Sequence, residues 1–231
     1  MVRSPLVLAS PDKLISFSRA KTILAKQIYE KKGRTFYCNC AYQTKSIVGK
    51  SCKLQTSKYK KRKKRLEWEH IVPAHAFGQS FKEWRESKKV CPKGKSPRKC
   101  ARSKNLLFKE MEGNLHNLVP SVGAINALRS NYSFSEFDLA KSEKLCDQGF
   151  HLLKRKVNPP DSVKGDIARI YFYMDKKYPG RGIISNKNRN LYEVWNKLDP
   201  VSKKECDLSR LKALYQGDKN LFVEKHCKDN K

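Results

Sequence analysis

Apolar residues recur at helical spacing in several segments of this chain of 231 residues. A first helix is predicted at about residues 17–32, where an apolar stripe ends before Gly33. Residues 105–111 and about 121–132 show the same spacing, with Ser121 as a suitable N-cap for the later helix. Further helices are predicted at residues 166–177, 191–198 and 203–215. The second half of the chain is therefore expected to be mostly helical and to serve as scaffold.

Short segments rich in β-branched and aromatic residues are predicted as strands, at residues 34–40, 66–72 and 115–119. A proline follows each of the last two segments and would end the strand there. Residues 58–65 and 92–102 are predicted as loops, because the first is a basic run and the second is rich in Pro, Gly, Ser and Lys. These patterns, in a chain of this length, predict an α+β fold: a mainly helical single domain over residues 1–231 with short antiparallel strands.

The chain is strongly basic. Lys and Arg number 51 against 22 Asp and Glu, which gives a net charge of +29. Because such an excess repels itself, it predicts a polyanionic partner: nucleic acid, an anionic membrane surface or a sulfated polysaccharide. Solubility alone would need far less charge. The densest run, KYKKRKKR at residues 58–65, has no apolar face of the kind a membrane-active helix needs, although such runs also serve as nuclear localisation signals.

Eight cysteines are scattered along the chain without a Cys-x-x-Cys pair. This distribution predicts about four disulfides in an oxidising compartment, with Cys91 and Cys100 joined across the loop at residues 92–102. The alternative, eight buried thiols in a cytosolic protein, is disfavoured because several cysteines lie in polar stretches. The apolar run at residues 6–9 is too short for a signal-peptide core, so a secreted protein would have lost its signal already. We expect a secreted or periplasmic protein without a transmembrane span.

The segment with the clearest chemistry is EWEHIVPA at residues 67–74. Adjacent Glu69 and His70 near the end of a strand would point to opposite faces, the first as an oxygen ligand for Mg²⁺ and the second as a general base. A second strand then leads into the helix that holds Asn126. Two strands followed by a helix can hold one metal ion between strand and helix.

Four motifs in this order make the sequence similar to the endonuclease I family of bacterial periplasmic and extracellular nucleases. They are WEHIVPA at residues 68–74, KEME at 109–112, HNLVPSVGxxN at 116–126 and ARIYFYM at 168–174. The resemblance spans about residues 20–227, and any one of the motifs alone would be weak. It implies a ββα-metal catalytic core at about residues 66–132, with the other helices as scaffold and groove walls.

Carried over by position, the resemblance implies a role for each of several residues. His70 would be the general base, and Glu69 and Asn126 would ligate Mg²⁺, for which Mn²⁺ or Ca²⁺ could substitute. Glu112 would be an acidic residue that reaches the metal through water, and Arg98 would contact the scissile or a neighbouring phosphate. The residues expected to bind nucleic acid are Lys60, Lys61, Arg62, Lys63, Lys64, Lys99 and Arg102, of which the last two could replace Arg98.

The implied activity is sequence-non-specific hydrolysis of phosphodiester bonds in double- and single-stranded DNA, and in RNA, leaving 5′-phosphate ends. The enzyme is expected to act as a monomer without stable membrane association. Sequence preference should be small, because contacts to phosphates carry no base information. The competing hypothesis is a secreted basic protein that binds DNA or a heparin-like polymer without chemistry. It explains the charge and the cysteines, but it does not explain the combination of Glu69, His70 and Asn126.

Each of these residues also has a purely structural interpretation. His70 could be a buried structural histidine, Glu69 could serve only to orient it, and Asn126 could lie on a helix surface without a role. Glu112, just before a glycine, could cap or pair locally. The spacing of His70 and His75 does not match the His-Glu-x-x-His pattern of zinc proteases, so that class is excluded.

Overall fold

The structure is a computed structural model that describes residues 14–227, so the apolar run at residues 6–9 lies outside the described part. Eleven α-helices are present among the described residues. They are α1 Phe17–Ile23, α2 Ala74–Gly78, α3 Lys82–Arg85, α4 Ser87–Val90, α5 Pro97–Lys104, α6 Leu106–Gly113, α7 Gly123–Arg129, α8 Lys164–Lys177, α9 Asn186–Leu198, α10 Lys203–Gln216 and α11 Leu221–Glu224. A π-helix, Leu24–Ile28, continues α1. Single 3₁₀ turns occur at Arg62–Lys64, Leu115–Asn117, Leu139–Lys141 and Asp161–Val163.

The described residues contain nine short strands. They are β1 Lys32–Arg34, β2 Ala41–Gln43, β3 Ser46–Ile47, β4 Leu66–His70, β5 Leu118–Val122, β6 Ser133–Phe134, β7 Glu143–Cys146, β8 Phe150–Leu153 and β9 Lys156–Asn158. β1–β2–β3 and β4–β5 are antiparallel sheets, and the third sheet has the order β6–β9–β8–β7. The α+β prediction is confirmed, with one difference: β6 pairs parallel to β9. The chain crosses from β6 to β7 at the opposite edge of the sheet, and the antiparallel strands β8 and β9 then bring it back beside β6.

The strand pair β4–β5 with the helix that follows it carries Glu69, His70 and Asn126. Glu69 lies opposite Val119 and His70 opposite Leu118 in this antiparallel pair. α7 begins directly after β5 and packs against both strands. The described chain therefore contains a strand–strand–helix unit where the sequence predicted one.

Two clusters of buried apolar residues support this unit from different sides. The larger one includes Ile71, Val119, Ile125 and Ile167, and so joins β4–β5 and α7 to the helical second half. The smaller one places the apolar stripe of α1 and the π-helix against Leu115 and Leu118, at the start of β5. α1 is therefore fixed beside the strand pair.

All eight cysteines lie within the described residues and form four disulfides, as predicted. The pairs are Cys38–Cys146, Cys40–Cys52, Cys91–Cys100 and Cys206–Cys227. The predicted disulfide between Cys91 and Cys100 is confirmed. Within residues 14–227, no helix combines the length and apolar character that a bilayer span requires.

Some local predictions were wrong. The strand predicted at residues 34–40 ends at Arg34, because Thr35 and Cys40 close a tight loop through two hydrogen bonds between them. Both cysteines of that loop enter disulfides, which favours the turn over an extended strand. The predicted loop at residues 92–102 contains the start of α5, where Pro97 occupies the first helical turn, a position that suits its missing N–H.

The helix predicted from Ser121 begins two residues later. Ser121 and Val122 pair with β4, which extends the strand past Pro120 and leaves Val122 at the N-cap. The first helix also differs, because its α-helical part ends at Ile23 and the π-helix carries the chain only to Ile28. The sheet formed by β6 to β9 was missed, since its strands have two to four residues each.

Candidate active site

A cavity of about 1140 Å³ lies along one edge of β4. All five residues of this strand line it: Leu66, Glu67, Trp68, Glu69 and His70. Alternate residues of a strand point to opposite faces, so a cavity that meets all five must run along the strand's edge. α1 and the π-helix supply one wall, and the 3₁₀ turn at Arg62–Lys64 with α7 supplies the other.

His70 is held in a defined tautomer. Its Nε2 lies 2.9 Å from the backbone carbonyl oxygen of Glu112, which can only accept, so Nε2 carries the proton and Nδ1 keeps a free lone pair. The side chain is 8% exposed and its ring packs 4.8 Å from that of Phe17. Burial, aided by the nearby charge of Arg98, lowers the pKa of His70 to about 4. The imidazole is therefore neutral near pH 7 and able to accept a proton.

Glu69 is a buried carboxylate, only 3% exposed, that also lines the cavity. Its Oε1 accepts a hydrogen bond from the Tyr37 hydroxyl at 3.2 Å and lies 3.3 Å from Arg129 Nη1. Burial raises the pKa of Glu69 to about 7, and the charge of Arg129 opposes the rise. These contacts use one carboxylate oxygen and leave Oε2 as the oxygen for a further partner.

Asn126, in α7, faces the same cavity. Its side-chain Nδ2 donates to Glu67 Oε2 at 3.1 Å. Arg62 completes this group through hydrogen bonds of 2.9 and 2.5 Å to the two oxygens of Glu67. Glu67 therefore orients the Asn126 amide so that Oδ1 is the atom not used in the bond.

A buried carboxylate also organises the arginines of α5. Glu112 has no exposed surface, and Arg98 Nε and Arg102 Nε each donate to one of its oxygens at 2.5 Å. Burial alone would raise the pKa of Glu112, but the hydrogen bonds from both arginines and their charges lower it. Arg98 lines the cavity, and its Nη2 is buried without a hydrogen-bond partner in the described structure. The rest of the Arg98 side chain is partly exposed, so an anion in the cavity could contact it there.

Arg129 braces the end of β4. It is 1% exposed and donates to the backbone carbonyls of His70 at 2.9 Å and Ile71 at 2.5 Å. Arg129 also lies close to Glu69. Its guanidinium therefore contacts both the Glu69 carboxylate and the end of the strand that carries His70. Its guanidinium carbon lies 4.8 Å from the centre of the Phe134 ring.

The cavity therefore brings together His70, Glu69, Asn126 and Arg98. Arg102 is half-buried on Glu112, and Lys99 is exposed outside the lining. Of the basic run, only Arg62 lines the cavity; Lys60, Lys61 and Lys64 are exposed and Lys63 is half-buried.

Sequence reasoning missed several residues of this site. Tyr37 and Arg129 contact Glu69, Glu67 orients Asn126, and Lys21 and Lys26 line the wall formed by α1 and the π-helix. One signal was available for the lysines, because they lie on the side of the first predicted helix opposite its apolar stripe. The Tyr37 contact joins residues 32 positions apart and had no local signal.

The donor atoms fit a hard divalent cation. Among residues 14–227 no three His, Cys, Asp or Glu side chains cluster as metal ligands, so a closed zinc-type site is not formed there. One carboxylate oxygen of Glu69 and one amide oxygen of Asn126, at an open cavity, match the way Mg²⁺ binds with few protein ligands and several waters.

Comparison with known proteins places the chain among nucleases. The family described as Endonuclease I matches residues 16–227. The chain is 37% identical over 217 residues to Endonuclease-1 of Buchnera aphidicola subsp. Acyrthosiphon pisum (strain APS), covering 92% of this chain and 82% of that protein.

Two proteins of Aeromonas hydrophila are similarly close. The chain is 35% identical over 226 residues to an extracellular deoxyribonuclease, covering 95% of this chain and 92% of that protein. It is 35% identical over 219 residues to a periplasmic deoxyribonuclease, covering 92% and 86%. The match to the family extends over nearly all of the described residues, and the chain belongs to the endonuclease I family of nucleases.

Proposed function

We propose that the protein is a metal-dependent, sequence-non-specific endonuclease in which His70 activates the attacking water. The observation that carries this proposal is the neutral His70, with Nδ1 free, in one cavity with Glu69, Asn126 and Arg98. DNA is the proposed substrate, because relatives that cover nearly the whole chain are named deoxyribonucleases. We extend the substrate range to single-stranded DNA and RNA, since nothing in the cavity other than charge is needed to hold a phosphodiester.

In this mechanism Nδ1 of His70 takes a proton from water, and the water oxygen attacks phosphorus in line with the leaving 3′ oxygen. The bond from phosphorus to that oxygen breaks, and the leaving oxygen takes a proton from solvent water, which leaves a 5′-phosphate and a 3′-hydroxyl. A divalent cation such as Mg²⁺ between Glu69 and Asn126 would stabilise the negative charge that develops on the phosphate and leaving oxygens. The bond from His70 Nε2 to the Glu112 carbonyl holds the ring so that Nδ1 stays the accepting atom.

Arg98 is the proposed phosphate contact, because its partly exposed guanidinium lines the cavity. Glu112 would act mainly by positioning, because Arg98 and Arg102 occupy both of its oxygens. A contact from Glu112 to the metal through water stays a prediction. Arg102 binds the same carboxylate, that of Glu112. If Arg98 does not contact the phosphate, Arg102 is therefore the next candidate, before the exposed Lys99.

We propose a secreted or periplasmic monomer that forms a single nuclease domain over residues 1–231, with its catalytic core at 66–132. Four disulfides support an oxidising compartment, and the relatives named extracellular and periplasmic deoxyribonuclease point the same way. The basic run at residues 58–65 would add phosphate contacts outside the cavity, next to Arg62 at its rim.

Plasmid relaxation with and without EDTA tests the activity, and calorimetric titration with Mn²⁺ tests the metal site. The parent should nick plasmid only with a divalent cation, and Glu69→Ala and Asn126→Ala should each weaken Mn²⁺ binding about 10-fold or more. Asn126→Asp should keep it, because a carboxylate oxygen replaces the amide oxygen. Asn131→Ala is the matched control, since Asn131 lines the same wall without an assigned role.

Two results would contradict the proposal. A protein that binds DNA but leaves plasmid intact at every metal concentration would be a binding module. Unchanged Mn²⁺ affinity in both Glu69→Ala and Asn126→Ala would remove the metal site from these residues.

A further inference from the structure

The wall formed by α1 and the π-helix presents a polar face to the cavity. Ser18, Lys21, Thr22, Ala25 and Lys26 line it, at the spacing of one side of a helix. The opposite side is buried in the smaller apolar cluster, so the polar face is fixed in place rather than free to rotate. Except for the two lysines, the lining residues of this face are small, which leaves room for a ligand along it. We call these five residues the α1 face.

Lys21 and Lys26 are exposed, and neither ammonium group is paired with a carboxylate within residues 14–227. Lys21 Nζ lies 5.0 Å from the centre of the Phe17 ring, which itself packs on His70. The positive charge on this wall is therefore available to a ligand and close to the proposed general base. Lys26 extends the same face along the cavity.

The α1 face and the wall at α7 lie on opposite sides of β4. Trp68 and His70 point to one side, where Trp68 packs 5.3 Å from Tyr29 and His70 packs on Phe17. Glu67 and Glu69 point to the other side, where they contact Asn126 and residues around it. The strand edge with the proposed catalytic residues thus runs between two separate walls.

The unpaired charge on both walls is positive. Lys45 also lines the cavity, as does Arg62, whose charge is matched by Glu67. Glu69, the other carboxylate of the cavity, is matched by Arg129. The α1 face adds two cations without adding an acid, which suits an anionic chain that continues past the site on that side.

We propose that the α1 face binds backbone phosphates of the nucleic acid on the His70 side of the scissile phosphate. This inference rests on the proposed function and adds to it a second wall of phosphate contacts, so that the substrate is held on both sides of β4. Lysine ammonium groups bind phosphates as point charges, and such contacts hold any sequence equally well. The α1 face therefore contributes to affinity without contributing base preference.

The size of the effect follows from counterion release. Each phosphate neutralised on duplex DNA changes the slope of log K against log salt by about −0.9, so two contacts contribute a slope of about −1.8. Between 50 and 200 mM salt, a fourfold change, that slope corresponds to a loss of about 10-fold in affinity. Removal of both lysines should remove this part of the salt dependence.

The experiment measures binding apart from cleavage. A His70→Ala background in EDTA would bind a fluorescein-labelled 20-base-pair duplex, and fluorescence anisotropy would give Kd from 50 to 300 mM KCl. The test variant adds Lys21→Gln and Lys26→Gln. The matched control adds Lys187→Gln and Lys197→Gln, which remove the same charge from exposed positions of α9 outside the cavity lining.

The test variant should show a slope less negative by about 1 to 2 and weaker binding at every salt concentration, while the control keeps the slope of its background. Equal slopes in test and control variants would overturn the proposal. Urea unfolding of both variants checks that neither pair of substitutions destabilises the fold. Cleavage by the parent is measured separately. A lack of nuclease activity can therefore be distinguished from a lack of phosphate binding by the α1 face.

Discussion

Substitution of His116 should change how the stability of the protein depends on pH. His116 is 2% exposed, its Nε2 donates to the backbone carbonyl oxygen of Asp218 at 3.0 Å, and its ring packs 4.6 Å from that of Tyr173. Burial, with the nearby charge of Lys212, lowers the pKa of His116 to about 4. His116→Gln keeps a donor at the corresponding position and removes the titrating ring.

The direction and size of this change in the free energy of unfolding follow from the linkage between proton binding and folding. Between pH 6.5 and 4 the unfolded chain binds the His116 proton while the folded protein excludes it, so the free energy of unfolding falls as the pH falls through this range. With an unfolded pKa of about 6.5 and a folded pKa of about 4, the loss at pH 5 is about 2 kcal/mol. Above pH 6.5 His116 is neutral in both the folded and the unfolded chain, so its contribution to the free energy of unfolding no longer changes with pH.

Urea unfolding at pH 8 and pH 5, with the disulfides intact, measures this loss. The parent should lose about 2 kcal/mol more than His116→Gln between the two pH values, even if the glutamine variant is less stable at pH 8. His226→Gln, at an exposed position, should follow the parent. Equal losses in the parent and His116→Gln would show that His116 does not cause this pH dependence, because a histidine excluded from water cannot titrate without cost.

Two further predictions concern the support of the site. Arg129→Lys keeps the charge but cannot make the same forked contacts, so kcat and Mn²⁺ affinity should each fall about 10-fold. Arg169→Lys should lower only the melting temperature, because that equally buried arginine pairs with Glu205 away from the cavity; parent-like kcat in Arg129→Lys would contradict this role. The double variant Cys91→Ser with Cys100→Ser removes a disulfide that joins cysteines of sequence separation 9. Urea unfolding should show a free energy of unfolding lower by about 2.5 kcal/mol. An unchanged value would show that this disulfide does not stabilise the fold.

The centre of the site could be predicted because its signals are local. His70 and Glu69 are neighbours at the end of a strand of predictable pattern, and Asn126 lies on the helix that follows the partner strand. α7 follows β5 directly, and β4 pairs with β5 although five helices lie between these strands in the sequence, so residues on all three elements meet in one cavity. Even a wrong helix start at Ser121 did not move Asn126 out of α7.

The support of the site could not be predicted, since it depends on contacts between distant segments. Arg129 reaches the carbonyls of His70 and Ile71 across 58 or more positions, and Glu112 is enclosed by Arg98 and Arg102 from a segment that looked like a loop. In the same way, disulfides override the strand pattern of residues 34–40. Packing and cross-links outweigh local propensity at these places.

The cleavage rate of His70→Ala under single-turnover conditions shows whether His70 is the general base. Excess enzyme, a labelled duplex and saturating Mg²⁺ would give the rate of bond breakage, with Kd from anisotropy on the same preparation in EDTA. We expect a rate about 10²–10⁴-fold below the parent, because general-base catalysis typically contributes that much, with Kd nearly unchanged since a neutral side chain is lost. A His70→Ala rate within about 3-fold of the parent would contradict His70 as the general base.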